Sequence, residues 1–77
     1  MANKAERIHW LIVEGSSNID KVGWDKNGRM YVRFLSGAMY AYEGVSRQRA
    51  VAAARAQSVG GYINRVIKPN YKAVSLA

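Results

Sequence analysis

Two segments rich in aromatic and β-branched residues, Met30-Tyr31-Val32-Arg33-Phe34-Leu35 and Ala38-Met39-Tyr40-Ala41-Tyr42, flank the dipeptide Ser36-Gly37. Such arms joined by a two-residue loop ending in Gly predict an antiparallel hairpin, and the stretch from Trp24 to Val45 then organises the chain. With Ser36-Gly37 as the loop, Leu35 opposes Ala38, Phe34 opposes Met39, Arg33 opposes Tyr40, Val32 opposes Ala41 and Tyr31 opposes Tyr42. Alternation gives this hairpin two unlike faces. Met30, Val32, Phe34, Met39 and Ala41 form a core face, whereas Tyr31, Arg33, Tyr40 and Tyr42 form an aromatic, basic one. A slip of one residue exchanges them.

The same logic extends upstream. Ile19 to Trp24 reads as a strand, and Asp25-Lys26-Asn27-Gly28 reverses it towards Arg29 to Leu35. A two-residue Asn27-Gly28 turn puts Trp24 opposite Tyr31 on the aromatic face. A loop one residue longer sends Trp24 and Val22 to the core with Met30 and Val32, and both registers are open. Before this strand, Ile8-His9-Trp10-Leu11-Ile12-Val13 is a continuous apolar run, equally compatible with a buried strand and a short helix, and Glu14-Gly15-Ser16-Ser17-Asn18 breaks it with turn chemistry. After Tyr42, Ser46 is placed to cap a helix over Arg47 to Gln57 whose apolar residues are nearly all Ala. Arg47 and Arg49 stand in its first turn, where the helix dipole prefers acids. Ser58-Val59-Gly60-Gly61 stops it, with Gly60 or Gly61 as a left-handed cap. A second helix from about Gly61 to Ile67 docks Tyr62, Ile63, Val66 and Ile67 and turns Asn64, Arg65 and Lys68 outward. The expected fold is α+β, a three-stranded antiparallel meander, four-stranded if the N-terminal run joins it, followed by two C-terminal helices.

The totals narrow the class. At 77 residues the chain is one domain, with its core over residues 8–68, a frayed start over 1–6 and a tail over 70–77. It has no Cys, so stability rests on packing alone, on the order of 5 kcal/mol for such a core, and a homo-oligomer would add to it. Thiol chemistry and a zinc knuckle are excluded, and a reducing, cytoplasmic setting fits. Trp10-Leu11-Ile12-Val13 is far too short to cross a bilayer, and no signal peptide or lipidation motif is recognised. Twelve Lys and Arg against five Asp and Glu give a net charge of +7, which favours a polyanionic partner.

The order of motifs resembles the KTSC domain family. Ser16-Ser17-Asn18-Ile19, Val22-Gly23-Trp24-Asp25, Val32-Arg33-Phe34 with Ser36-Gly37, Tyr40-Ala41-Tyr42 with Gly44-Val45, then Ser58, Gly60, Tyr62-Ile63-Asn64 and Ile67-Lys68 carry the likeness. It spans roughly Trp10 to Lys68. The family is named for a small module at the C-terminus of some lysyl-tRNA synthetases and also occurs as free-standing bacterial and phage proteins. Tyr40 and Tyr42 match its Tyr-x-Tyr mark, and the resemblance implies RNA binding. Ser46 stands where members often have Pro, Ala50, Ala53 and Ala54 where they have larger apolar residues, and Tyr31, Arg33 and Leu35 where acidic or polar ones are expected.

Catalytic raw material is thin. His9 is the one imidazole, in an apolar run, and Glu6, Glu14, Asp20, Asp25 and Glu43 are too scattered to pair as acid and base. No Walker loop, dinucleotide fingerprint, metal set or cofactor motif is present, so no cofactor is expected and a non-enzymatic binding module is. Ser58-Val59-Gly60-Gly61 before a helix, with Arg55 and Arg65 near it, offers N–H groups to a phosphate or simply makes the turn. The candidate contact residues are Tyr31, Arg33, Tyr40 and Tyr42, Trp24 if the register allows, and a basic rim of Arg47, Arg49, Arg55, Arg65 and Lys68. Rings on a rigid sheet stack bases, and Arg adds phosphate attraction, which predicts a nucleic-acid partner, preferably single-stranded RNA or DNA. The same rings also serve if they only pair across strands or pack under helices. The alternative partner is an acidic surface on a protein, including a host protein bound by a phage-encoded inhibitor, since Tyr, Trp and Arg also dominate protein hot spots.

Overall fold

The computed structural model describes residues 7–76; the frayed start expected over 1–6 lies outside the described residues. The elements are β1 (His9–Ile12), β2 (Ile19–Trp24), β3 (Arg29–Phe34), β4 (Met39–Glu43), α1 (Arg47–Ala54), α2 (Val59–Tyr62), a π-helical turn (Ile63–Ile67) that continues α2, and β5 (Ala73–Ser75). The strands form one antiparallel sheet in the order β1-β2-β3-β4-β5. The α+β class holds, but the sheet has five strands rather than three or four. The N-terminal run is an edge strand. The helices are not C-terminal, because the chain leaves them and returns as β5 along the free edge of β4. Leu76 N–H continues this ladder, donating to the Met39 carbonyl at 2.9 Å.

Loop length decides the rest. Both hairpins use three residues, Lys26-Asn27-Gly28 and Leu35-Ser36-Gly37, closed by Asp25 N–H to the Arg29 carbonyl at 3.1 Å and Phe34 N–H to the Ala38 carbonyl at 2.8 Å. In each, the Gly occupies the left-handed position that ends such a loop, Gly28 at φ 85° and Gly37 at φ 99°. The first hairpin therefore takes the longer-loop register, with Trp24 opposite Met30 and Val22 opposite Val32. The second departs by one residue from the pairing expected for a Ser36-Gly37 turn: Val32 opposes Tyr40, Tyr31 opposes Ala41 and Met30 opposes Tyr42. Tyr40 and Tyr42 consequently lie on the side that the helices cover, and Met39 and Ala41 face the other way. The physical gain is area, because the Tyr42 ring is buried and the Tyr40 ring half-buried where Met39 and Ala41 would have been.

β2 carries an irregularity between Ile19 and Lys21, which places Asp20 as an extra residue. Ile19 and Val22, three apart, thereby both reach the core. That core joins Ile19, Val22, Met30, Val32 and Tyr42 of the sheet to Val45, Ala50, Ala53, Val59, Ile63 and Ile67. α1 lies along β2. Its buried Ala50 and Ala53 let the backbone come close, and it ends at Ala54, short of the expected Gln57. Ser46 caps it as expected, its Oγ accepting from Arg49 N–H. Gly60 and Gly61 are not a left-handed cap. They lie in the first turn of α2, which Ser58 starts by accepting from Gly61 N–H at 3.2 Å. Tyr62, Ile63, Val66 and Ile67 pack on the core as their spacing predicts.

Asp25 fixes the first loop. Its Oδ1 accepts from Asn27 N–H at 2.9 Å and Arg29 N–H at 3.1 Å, and its Oδ2 accepts from the Tyr31 hydroxyl at 2.7 Å. Burial alone would raise its pKa, but these hydrogen bonds and the Arg29 charge hold it below the ordinary 3.8. Folding therefore favours the carboxylate: the stabilisation is present above the unfolded value and is lost as pH falls through the lower folded one. Thermal melts should show Tm falling below about pH 4 with a steepness that Asp25→Asn reduces. At pH 7, Asp25→Ala strands the buried Tyr31 hydroxyl and should cost roughly 1–3 kcal/mol.

Candidate functional site

The aromatic, basic sheet face expected from Tyr31, Arg33, Tyr40 and Tyr42 is not assembled. Tyr42 is 3% exposed within the core, and Tyr40 is half-buried on the same side, edge-on to Phe34 with centroids 5.8 Å apart. Burial, then the neighbouring Tyr40, raises the Tyr42 pKa, so the phenol stays protonated. Tyr31 does face outward but is 4% exposed, with Trp10 tilted against it at 6.1 Å and its hydroxyl committed to Asp25. Arg33 is exposed and ion-paired, Nη1 to Asp20 Oδ2 at 2.8 Å.

The outer sheet face is electrically quiet. Besides Arg33–Asp20, Arg29 Nε meets Glu43 Oε2 at 2.9 Å across β3 and β4. Lys21 lies over the Trp10 ring, 4.5 Å from its centroid. Ile12, Val74 and Leu76 are large apolar side chains left exposed along its two edges.

Positive charge collects instead in the chain after Gly44. All five acids of the chain precede Gly44, whereas Arg47, Arg49, Arg55, Arg65, Lys68 and Lys72 follow it. All six are exposed. Arg47 and Arg49 sit in the first turn of α1, which holds no acid. Arg49 is tied to the surface by its Nη1, which donates to the Tyr62 hydroxyl at 3.3 Å, and Tyr62 and Tyr71 hold its guanidinium charged. Arg55 borders a polar cleft between the β1–β2 loop and the α1–α2 connection, lined also by Glu14, Ser16, Ser17, Asn18, Ser58 and Asn64. Lys68 borders an apolar groove with Phe34, Tyr40 and Tyr42.

Of the expected contact residues, Tyr40, Tyr42 and Lys68 meet at that groove, and Trp24 and Arg47 come together elsewhere. Both line a cleft at the β2–β3 end of the molecule with His9 and Lys26. His9 and Lys26 were not among the residues expected there. The signal for His9 lay in a pairing that the apolar run alone could not reveal, because it stands opposite Trp24 only once β1 is an edge strand. Among the described residues no group of three His, Cys, Asp or Glu side chains converges on a metal site, and no helix is long and apolar enough to cross a membrane.

Residues 15–71 match the family model described as the KTSC domain. An uncharacterized protein of Stutzerimonas stutzeri (strain A1501) is 37% identical over 57 residues, 73% of this chain and 80% of its own length. A protein of Tsukamurella paurometabola is 34% identical over 62 residues, covering 79% of this chain and 92% of its own.

Proposed function

The chain belongs to the KTSC domain family, and we propose that this member is a non-enzymatic nucleic-acid-binding module that meets its ligand with the helical layer rather than the open sheet face. The observation that carries this reading is the one-signed stretch of chain after Gly44, with six exposed cations and no acid. Of the described acids, Asp20 and Glu43 are held in ion pairs and Asp25 in the first loop, while Glu14 is exposed and lines the cleft that Arg55 borders. Exposed cations that outnumber the carboxylates near them attract a phosphate backbone and release its counterions on contact.

The placement of the rings changes what kind of binding is expected. With Tyr40 and Tyr42 under the helices and Tyr31 buried, stacking on the sheet gives no basis for preferring a single strand. Binding led by phosphate contacts discriminates little by base sequence. Fluorescence anisotropy with labelled single-stranded RNA, single-stranded DNA and duplex DNA, each across a salt series, tests this. If all six cations engage, log K against log salt has a slope no steeper than about −5 for duplex and about −4 for a single strand. Replacing two of them, Arg55→Gln with Arg65→Gln, should flatten the duplex slope by about 2 and weaken binding to all three probes alike. No binding to any probe at low salt would overturn the reading and leave an acidic protein surface as the partner that the charge serves. Tyr40→Ala with Tyr42→Ala is not a usable probe, because it removes core.

A further inference from the structure

The cleft at the β2–β3 end has a composition that phosphate attraction alone does not need. Trp24 closes β2 on the side that the helices cover, yet α1 begins only at Arg47 and runs along β2 with small alanines. The indole therefore packs on the core with one part and stays half exposed with the rest. His9, opposite Trp24 in the ladder, stacks its imidazole on that indole, with centroids 6.1 Å apart and planes 24° from parallel. Two aligned rings thus floor a space of about 490 Å³ bordered by Lys26 and Gly28 of the loop and by Arg47 of α1.

The electrostatics are those of an anion site with a flat floor. Neither Lys26 nor Arg47 takes part in the two ion pairs among the described residues, Arg29–Glu43 and Arg33–Asp20. Asp25 also lines the cleft, but it is only 5% exposed and both of its oxygens already accept hydrogen bonds. What remains open to solvent is aromatic surface with two cations beside it. An inorganic anion would leave the rings unused, and a neutral aromatic would leave the cations unused. A ligand that uses both is flat, aromatic and anionic, and the space available to it falls within the roughly 300–1,000 Å³ typical of small-molecule sites.

Resting on the nucleic-acid reading, we propose that this cleft is a single-nucleotide subsite: the base lies against the Trp24–His9 pair, and Lys26 and Arg47 take the adjoining phosphate. Arg47 then belongs both to the basic layer and to the subsite, so a strand lying along the helices can place one base in the cleft. The subsite restores a preference for unpaired bases that the sheet face does not supply, because a base held in a duplex cannot lie on the indole.

The test uses adenosine monophosphate, adenosine and inorganic phosphate as separate probes. The chain has two Trp, so Trp10→Phe leaves Trp24 as the one indole emitter. Its emission should be quenched by the monophosphate at concentrations at least tenfold below those needed for adenosine, and left unchanged by phosphate. Lys26→Gln with Arg47→Gln should remove the advantage of the monophosphate over adenosine. Trp24→Leu should weaken single-stranded oligonucleotide binding roughly ten- to hundredfold and duplex binding little. If Trp10→Phe does not fold, the indole N–H signals of ¹⁵N-labelled wild type report the same event, with the Trp24 signal shifting and the Trp10 signal staying. Steep, salt-dependent oligonucleotide binding with a silent Trp24 would overturn the subsite and leave the basic layer standing. Trp24 responding to the monophosphate while no oligonucleotide binds would uphold the subsite and overturn the nucleic-acid reading. An equal response to phosphate alone would overturn the subsite.

Discussion

Ile67→Ala is expected to leave most of the protein unfolded at 37 °C. Ile67 is fully buried, the last residue of the π-helical turn and the last helical side chain to enter the core before Pro69 redirects the chain. Truncating a buried Ile to Ala costs about 2–5 kcal/mol, the transfer term plus the cavity it leaves. A core in a domain this small supplies on the order of 3–5 kcal/mol in total, and no disulfide supplements it here. The one change is therefore as large as the whole stability. Ile67→Val, at about 0.5–1.5 kcal/mol, should stay folded with a lower urea midpoint. Because the helical layer delivers the chain to β5, hydrogen exchange in the valine variant should quicken first at Leu76 N–H and Glu43 N–H, which bond across β4 and β5 to Met39 and Lys72. An unchanged midpoint for the alanine variant would mean that the helices are not seated as described.

Gly23→Val should detach β1. A Cβ at position 23 would lie 2.7 Å from Ile8 Cγ2, 2.8 Å from Trp10 Cε3 and 3.0 Å from the His9 carbonyl oxygen. The first two are side chains, but the third is backbone of the strand that pairs with β2, so relief requires β1 itself to move. Overpacking of this kind costs roughly 1–3 kcal/mol. The consequence reaches the outer face, since Trp10 covers Gly23, contacts Tyr31 and carries Lys21. Urea unfolding should show the lowered midpoint, and Trp10 emission, read in a Trp24→Phe background, should shift to longer wavelength. A valine variant with wild-type stability and unshifted emission would refute the close approach.

The antiparallel order of β2, β3 and β4 was legible because their alternation and turn residues agree, and the docking face of the second helix was legible from its spacing. Loop length was not. Asn27-Gly28 and Ser36-Gly37 carry the chemistry of a two-residue turn, but Gly in the left-handed position closes a three-residue loop equally well. The arbiter was area. The shorter second loop would have put Met39 and Ala41 on the core side and Tyr40 and Tyr42 on the outer one, and the fold takes the arrangement that seats the larger rings against the core. The helical stop assigned to Gly60 and Gly61 failed for a related reason: Ser58 caps the next helix, and no positive φ is required where its first turn follows at once. β5 left almost no local signal, because Ala73-Val74-Ser75 becomes a strand only through the free edge of β4. The candidate platform dissolved with the register, whereas the run of cations without an acid needs no register, and all six stay exposed.

The positions of β1 and β5 at opposite edges have a consequence for how this domain can be joined to anything else. Polypeptide enters at one side of the sheet and departs at the other, four strand spacings or roughly 19 Å away. A circular permutant needs at least about six extended residues to bridge that width, and the bridge must cross either the helical layer or the open face. Placed within a longer polypeptide, the domain acts as a spacer that carries the chain sideways by its own breadth, and copies strung in tandem would step along a line instead of folding back on one another.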